Sequence, residues 1–308
     1  MLWRSAPLLL AFAVLFWAGN SVVGRALAGQ APPIALSWCR WAAAFVLVTP
    51  LAWRHLRRDL PELRRRWRIV LALSATGVAS FGTLLYIGLQ STTALNSLVM
   101  QAAIPPLILL FAWAGLKERV SRLQIVAVAV SLLGVLVVLS RGRPWDLLHL
   151  GLNAGDGVIV VAVILYALYS LVLRRRPAVH PLSLIWATFA VTLMLLAPLC
   201  LFEAASGQVL RLTPRVIGGI AYVAIFPSFL SYLFFNRGVE LIGPARGTQF
   251  LHLQPVFGAI LAVVLLGEAF HLFHAVGLAL IGAGIVLAAR QPPTPQPPAA
   301  RTEASPSR

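Results

Sequence analysis

Two short polar stripes in an otherwise apolar chain hold the residues whose spacing could do chemistry. Arg246, Gln249 and His252 follow one another at intervals of three, which at about 100° per residue keeps them on roughly a 120° face of one helix. Asn96, Ser97 and Gln101 form a second such face, with Ser97 and Gln101 four apart. Leaving a polar group unsatisfied in hydrocarbon costs several kcal/mol, so these side chains must face a solute, water or each other. They offer hydrogen bonds to a cargo, with Gln101 and His252 foremost, or hydrogen bonds that hold helices together. Trp17, Tyr86, Tyr166 and Tyr169 could stack on a planar or amphipathic ligand, and Asn20 and Ser21 lie beside Trp17. Arg40 is a charge inside an apolar run, a costly placement that is usually functional. Its position near a helix end lets it snorkel, which favours a structural role.

The elements that must position these residues are membrane spans. Hydrophobic residues make up 59% of the chain and charged residues 11%, with a mean hydropathy of +0.86, against about 25% charged in soluble domains. Runs of about 20 apolar residues fall near 5–24, 33–53, 69–89, 93–115 and 122–140, then 156–174, 182–202, 214–236, 244–266 and 272–290. The two sets match. Pro105, Ala112, Leu116, Glu118, Val126, Ala129 and Gly134 recur 150 positions on as Pro255, Ala262, Leu266, Glu268, Val276, Ala279 and Gly284. Pro33, Trp38 and Pro50 recur 148 positions on as Pro181, Trp186 and Pro198. The expected fold is all-α, with ten transmembrane helices as two five-helix repeats, 5–140 and 156–290, joined by a loop over 141–155. An odd number of spans per repeat inverts the second copy in the bilayer, the geometry of alternating access.

The net charge of +16 is distributed by topology. With both termini cytoplasmic, inner segments hold 19 of the 25 basic residues, including seven Arg between Arg54 and Arg68 and the run Arg174–Arg176. Arg25, Arg141, Arg143, Arg211 and Arg215 stay outside, and Arg40 lies within a span. This follows the positive-inside rule and names anionic membrane lipid as a partner, not nucleic acid. Residues 291–308 are Pro-rich with almost no large apolar side chain, as in a disordered cytoplasmic tail. The first apolar run imitates a secretory signal. Cleavage would leave a four-helix copy beside a five-helix one, so the segment is expected to be retained. Cys39 and Cys200 both fall in spans and read as packing residues.

These residues carry a family resemblance. LNSLVMQAAIPPLILLFAWAGLKERVSRLQIVAVAVSLLGVLVVL, residues 95–139, resembles the end of an EamA repeat, and GPARGTQFLHLQPVFGAILAVVLLGEAFHLFHAVGLALIGAGIVLAAR, residues 243–290, resembles it more closely. FWAGNSVVGRAL and PPIALSWCRWAAA, with Arg40, agree as well. The chain is identified as similar to EamA transporters of the drug/metabolite transporter superfamily over nearly all of residues 5–290. The resemblance implies a central cavity lined mostly by the first, third, fourth, sixth, eighth and ninth helices, and export of small metabolites or drugs.

All nine acids fall in loops, tails or helix ends, so no mid-bilayer carboxylate is expected to relay protons, and His252 or Asp156 would have to serve. Glu118 and Glu268 read as residues that fix loops. The sequence has no HExxH, no GxSxG and no phosphate-binding glycine loop, and catalysis is not expected. The expected protein is a multi-pass transporter of the bacterial inner membrane, exporting amino acids, related metabolites or drugs by rocking one five-helix unit on the other. Translocation of a lipid-linked substrate is the alternative. No cofactor or metal is called for, the substrate is a small molecule, and a homodimer is left open. Paired prolines, Pro105 with Pro106 and Pro255 with Pro227, are expected to kink or gate the cavity wall.

Overall fold

The computed structural model describes residues 2–116, 121–143, 153–243 and 247–289. Glu118, Arg246, most of the inter-repeat loop and the tail from 290 onward lie outside the described residues. Eight helices are long and apolar enough to cross a membrane: α1 (Ala6–Ala26), α2 (Pro33–Arg65), α3 (Trp67–Gly88), α4 (Ala94–Gly115), α5 (Arg122–Leu139), α6 (Ala154–Leu173), α7 (Pro181–Ala205) and α8 (Pro214–Ile242). Two shorter apolar helices follow, α9 (Phe250–Leu266) and α10 (Leu272–Leu287). No strand occurs among the described residues.

Prolines open α2, α7 and α8, where a helix needs no N–H. A capping box of Ser121 and Gln124 opens α5, and Gly267, at φ 66°, stops α9. The third helix of each repeat is interrupted by a π-helical turn, Ser74–Ala79 in α3 and Phe226–Leu230 in α8. Ser80 and Ser228, 148 positions apart, each donate to the carbonyl five residues back, Ala75 and Val223, where these turns displace the regular ladder. The fourth helices are irregular too. α4 is broken at Ala102 and Ala103 just before Pro105, and α9 opens with a 3-10 stretch, Thr248–Leu253, just before Pro255.

The two halves are joined reciprocally. α2 and α7 pair antiparallel, and each has its first turn held by a carboxylate from the far end of the other. Glu203, 6% exposed, accepts from the backbone N–H groups of Ile34 (3.1 Å) and Ala35 (2.7 Å), and Asp59 accepts from that of His180 (3.0 Å). Between them Trp38 Nε1 donates to the Leu193 carbonyl, and Trp186 Nε1 donates to Thr49 Oγ1, which donates on to the Phe45 carbonyl. Phe45 and Leu193 are again 148 apart. Glu268, expected to fix a loop, closes a third helix start, accepting from the N–H groups of Ala94 (2.8 Å) and Leu95 (2.9 Å) of α4.

α5 and α10 close at two glycines. A Cβ on Gly134 would meet the Gly277 carbonyl at 2.7 Å and Ile281, and one on Gly284 would meet Ser131 Oγ at 2.1 Å and the Ala127 carbonyl at 2.5 Å. Position 134 faces 277 while 127 faces 284, so the helices run antiparallel and the contact repeats itself about a two-fold axis across them. The first helices are exchanged: α1 packs on α8 and α9 of the second half, and α6 packs on α3 and α4 of the first. Leu10 seats on Gly238 as Ile159 seats on Gly88. A sequence repeat is therefore not a packing unit here. The rocking bodies expected from the sequence would each carry the other repeat's first helix.

One face carries the arginine-rich segments. The Arg-rich end of α2 meets the α6–α7 connection, where the His55 and His180 rings stack at 3.6 Å, 4° from parallel, beside Asp59. Trp3 packs on Phe234, placing the N-terminus at this face with the end of α8. Burial and the facing His55 push the His180 imidazole below its usual range, against the pull of Asp59. His180 Nδ1 also accepts from the Leu182 N–H, which requires the unprotonated nitrogen.

Two predictions follow from this packing. Gly284→Ala lowers the melting temperature in detergent, by an overpacking cost of about 1–3 kcal/mol, whereas Gly282→Ala, with nothing within 4 Å of its Cβ position, leaves it unchanged; equal melting of the two would refute the α5–α10 contact. For the clamp, a histidine pKa lowered on folding means that the unfolded chain binds more protons just below the usual histidine range. Stability therefore rises with pH through that window and is lost on acidification from pH 7.5 toward 5.5. Melting curves across this range show a slope that His180→Asn flattens, and an unchanged slope in the variant would count against the clamp.

Candidate functional site

The interior holds two polar networks that meet at α1. Asn20 and Ser21, adjacent and both buried, project into one each. In the first, Arg40 reaches from α2 to donate from Nε to Ser228 Oγ (2.6 Å) on the π-turn of α8, and from Nη1 to Tyr86 Oη (3.1 Å) on α3. Tyr86 Oη donates onward to Asn20 Oδ1 (2.7 Å). The guanidinium lies 4.3 Å over the Trp41 ring. Arg40 is 5% exposed and does not snorkel.

In the second, Gln101 Nε2 donates toward Ser21 Oγ (3.1 Å), Ser97 Oγ (3.0 Å) and the Ser97 carbonyl (3.2 Å), and its Oε1 accepts from Gln254 Nε2 (3.2 Å). This ties α1, α4 and α9 together. The sequence picks out Gln101, Ser97 and Ser21 and misses Gln254, whose repeat position is the apolar Ile104. His252 does not face Gln101. Side chains three apart eclipse in a 3-10 stretch, so the spacing of three still gives one face, and His252 lies on the exposed side of the stretch. His252 is exposed, one turn from Val256, itself 50% exposed. Arg246 and the side chain of Gln249 lie outside the described residues. Asn96 points away from Gln101, its Oδ1 meeting His274 Nε2 at 2.9 Å. His274 Nδ1 accepts from the His271 N–H, so the ring is neutral with its proton on Nε2.

The aromatic candidates divide. Tyr86 is fully buried and spent on Arg40 and Asn20. Trp17 Nε1 donates to the Pro227 carbonyl (3.0 Å) in the π-turn of α8, and its ring packs on Tyr232 and Phe235. On α6, Tyr169, three residues past Tyr166, the position that matches Trp17 at an offset of 149, lies flush on Gly77 in the π-turn of α3, where a Cβ would come within 2.3 Å of its ring. Asp156, 2% exposed, accepts from Thr92 Oγ1 at the start of α6 and ties the α3–α4 turn to it.

A cavity of about 480 Å³ opens at the arginine-rich face. Leu73 and Val78 of α3, Tyr169 and Leu173 of α6, Ile185, Thr188 and Phe189 of α7, and Tyr232 and Asn236 of α8 line it, with Arg174, Arg176 and Pro177 at the mouth. It lies between the third helices of the two repeats and away from the Gln101 network. The walls are mostly apolar and aromatic with a few hydroxyl and amide groups, the lining of a small-molecule pocket. Thr188 occupies the repeat position of Arg40, 148 residues on. Both side chains are buried, Thr188 6% and Arg40 5% exposed, but the place borders a cavity in one half and is filled by a hydrogen-bonded cation in the other.

Residues 4–140 and 153–290 each match the EamA-like transporter family. The chain is similar to the uncharacterized transporter YyaM of Bacillus subtilis, 27% identical over 248 residues, covering 80% of each chain. It is also similar to a probable terminal-alkyne amino-acid exporter of Streptantibioticus cattleyicolor, 26% identical over 255 residues, covering 81% of this chain and 80% of the other. A protein crystal structure at 18% identity has the same fold, with a TM-score of 0.61 over 92% of this chain and 96% of that one. With both of its halves matched, the chain belongs to the EamA-like transporter family.

Proposed function

We propose that the chain is an exporter of small metabolites, amino acids or related compounds, working by alternating access in the bacterial inner membrane. On this reading all ten helices span, as two inverted five-helix repeats over residues 5–140 and 156–290, and both termini and the arginine-rich face are cytoplasmic. The observation that carries it is the unequal state of two repeat-related places. Around Thr188 a cavity is open to the arginine-rich face. Around Arg40 the corresponding space is closed by ties from α2 to α8, and through Tyr86 to α1. Exchange of these two states would carry a solute across. The antiparallel pairs α2–α7 and α5–α10 provide symmetric seams on which that exchange can turn, while the swapped first helices move with the opposite repeat.

The cargo class draws on the named activity of the Streptantibioticus relative and on the aromatic, weakly polar cavity wall. Gln101, Ser97, Ser21 and Gln254 lie beyond the cavity on the way across, where a passing solute can exchange hydrogen bonds with them.

In proteoliposomes the protein is expected to catalyse leucine flux. Asn236→Trp, an exposed position at the cavity wall, reduces that flux to the level of empty liposomes without changing the melting temperature. Flux that survives Asn236→Trp would remove the cavity from the pathway. No flux of any amino acid, with movement of a lipid-linked sugar instead, would replace the exporter reading by a flippase.

A further inference from the structure

Arg40 is a buried cation without a counter-charge. Both of its acceptors, Ser228 Oγ and Tyr86 Oη, are neutral hydroxyls, and among the described residues no carboxylate pairs with it. A charge removed from water is strongly destabilising unless it is paired. Next to it lies a buried donor that is unmet. Trp41 is 3% exposed and its indole Nε1–H, also buried, has no partner. The two converge on one place. A Cβ built on Gly82 of α3 would lie 3.4 Å from Arg40 Nη1 and 3.6 Å from Trp41 Nε1. Glycine keeps that place clear of a side chain between a guanidinium and an indole donor.

The clearing is one helical turn beyond the cavity. Val78, at the cavity wall, precedes Gly82 by four residues on α3, and Phe189, also lining it, packs on Trp41 at 4.8 Å between ring centroids.

We propose that Arg40 and Trp41, above the clearing left by Gly82, form the recognition point for a carboxylate, so that the cargo is a small amphipathic monocarboxylate such as an α-amino acid. This rests on the exporter reading and names the chemistry that it leaves open. A carboxylate is planar, accepts two parallel N–H bonds from a guanidinium and supplies the missing charge; a hydroxyl or carbonyl ligand would leave the cation unpaired. The same contact explains how cargo would act on the closed side. Arg40 bonded to a carboxylate gives up Ser228 and Tyr86, and these are the bonds that tie α2 to α8 and, through Asn20, to α1.

The test uses three isosteric probes on the detergent-purified full chain: leucine, 4-methylpentanoate, which lacks the amine, and isoamylamine, which lacks the carboxylate. Leucine and 4-methylpentanoate are expected to raise the melting temperature by a few degrees at saturation, and isoamylamine is not. Arg40→Gln and Gly82→Ala abolish both shifts, the second by filling the clearing without touching a charge. Should Arg40→Gln fail to fold, Gly82→Ala carries the test, since its new contacts are at ordinary van der Waals distance. Arg40→Lys retains the preference for carboxylates with weaker shifts. An equal shift with isoamylamine, full shifts in a folded Arg40→Gln or Gly82→Ala, or no shift with either carboxylate would overturn the site. The two readings fail separately. Leucine flux that persists unchanged in Arg40→Gln removes the site and leaves the exporter, whereas a carboxylate shift that Gly82→Ala abolishes, without leucine flux, keeps the site and removes the exporter.

Discussion

The structure depends on one constraint: inside a bilayer no water is present to satisfy a backbone or side-chain polar group, so each must find its partner in the chain. Regular helices meet this by themselves except at their ends and interruptions, and those are where the distinctive contacts lie. The first N–H groups of α2 and α4 are taken by Glu203, from α7, and by Glu268, from the α9–α10 connection. The π-turns of α3 and α8 are served by Ser80, Ser228 and Trp17. Because most of these partners come from the opposite half, the same bonds that complete the helices also bind the two halves together.

That stitching explains why the fold is both symmetric and able to hold unequal states. The seams repeat closely: Glu203 on α2 and Asp59 on α7, Gly134 and Gly284 between α5 and α10, Leu10 and Ile159 on the glycines of the opposite third helix. One departure from the repeat bears on the cavity. Thr188 spends its hydroxyl on its own helix, donating to the Ile185 carbonyl, and leaves open space beside it. Arg40, its counterpart, spans three helices. Replacing a short hydroxyl side chain by a long cation turns a cavity wall into a tie, at the cost of burying a charge that no carboxylate among the described residues neutralises.

Much of this was legible in the sequence, and the limits have physical reasons. Proline, glycine and glutamate spacing gave the repeat and most span boundaries, because these residues act through backbone geometry that a single chain encodes locally. Ser97, Gln101 and Ser21 were found because a polar residue in an apolar run has few uses. His252 was misplaced because a spacing of three fixes which residues share a face but not whether that face turns inward or outward, and nothing in TQFLHL decides that. Tyr86 read as a stacking surface, yet its ring is enclosed, since the arginine that claims its hydroxyl is 46 residues away in sequence. Arg40 was visible as an oddity. Its closed-in position depends on Ser228, 188 residues distant, and no local pattern carries that pairing.

Closure of the Arg40 half, beside a cavity that is open in the Thr188 half, rests on Arg40 itself. Ser37, fully buried, and Ile185, in the cavity wall, are repeat partners 148 positions apart and report on the two halves. In a chain with Cys39 and Cys200 replaced, Ser37→Cys and Ile185→Cys can be tested with a membrane-impermeant thiol reagent applied from either face. Ile185→Cys is expected to react from the arginine-rich face, and Ser37→Cys to stay protected until Arg40→Gln exposes it to the opposite face. Protection of Ser37→Cys that is the same with and without Arg40 would contradict that dependence.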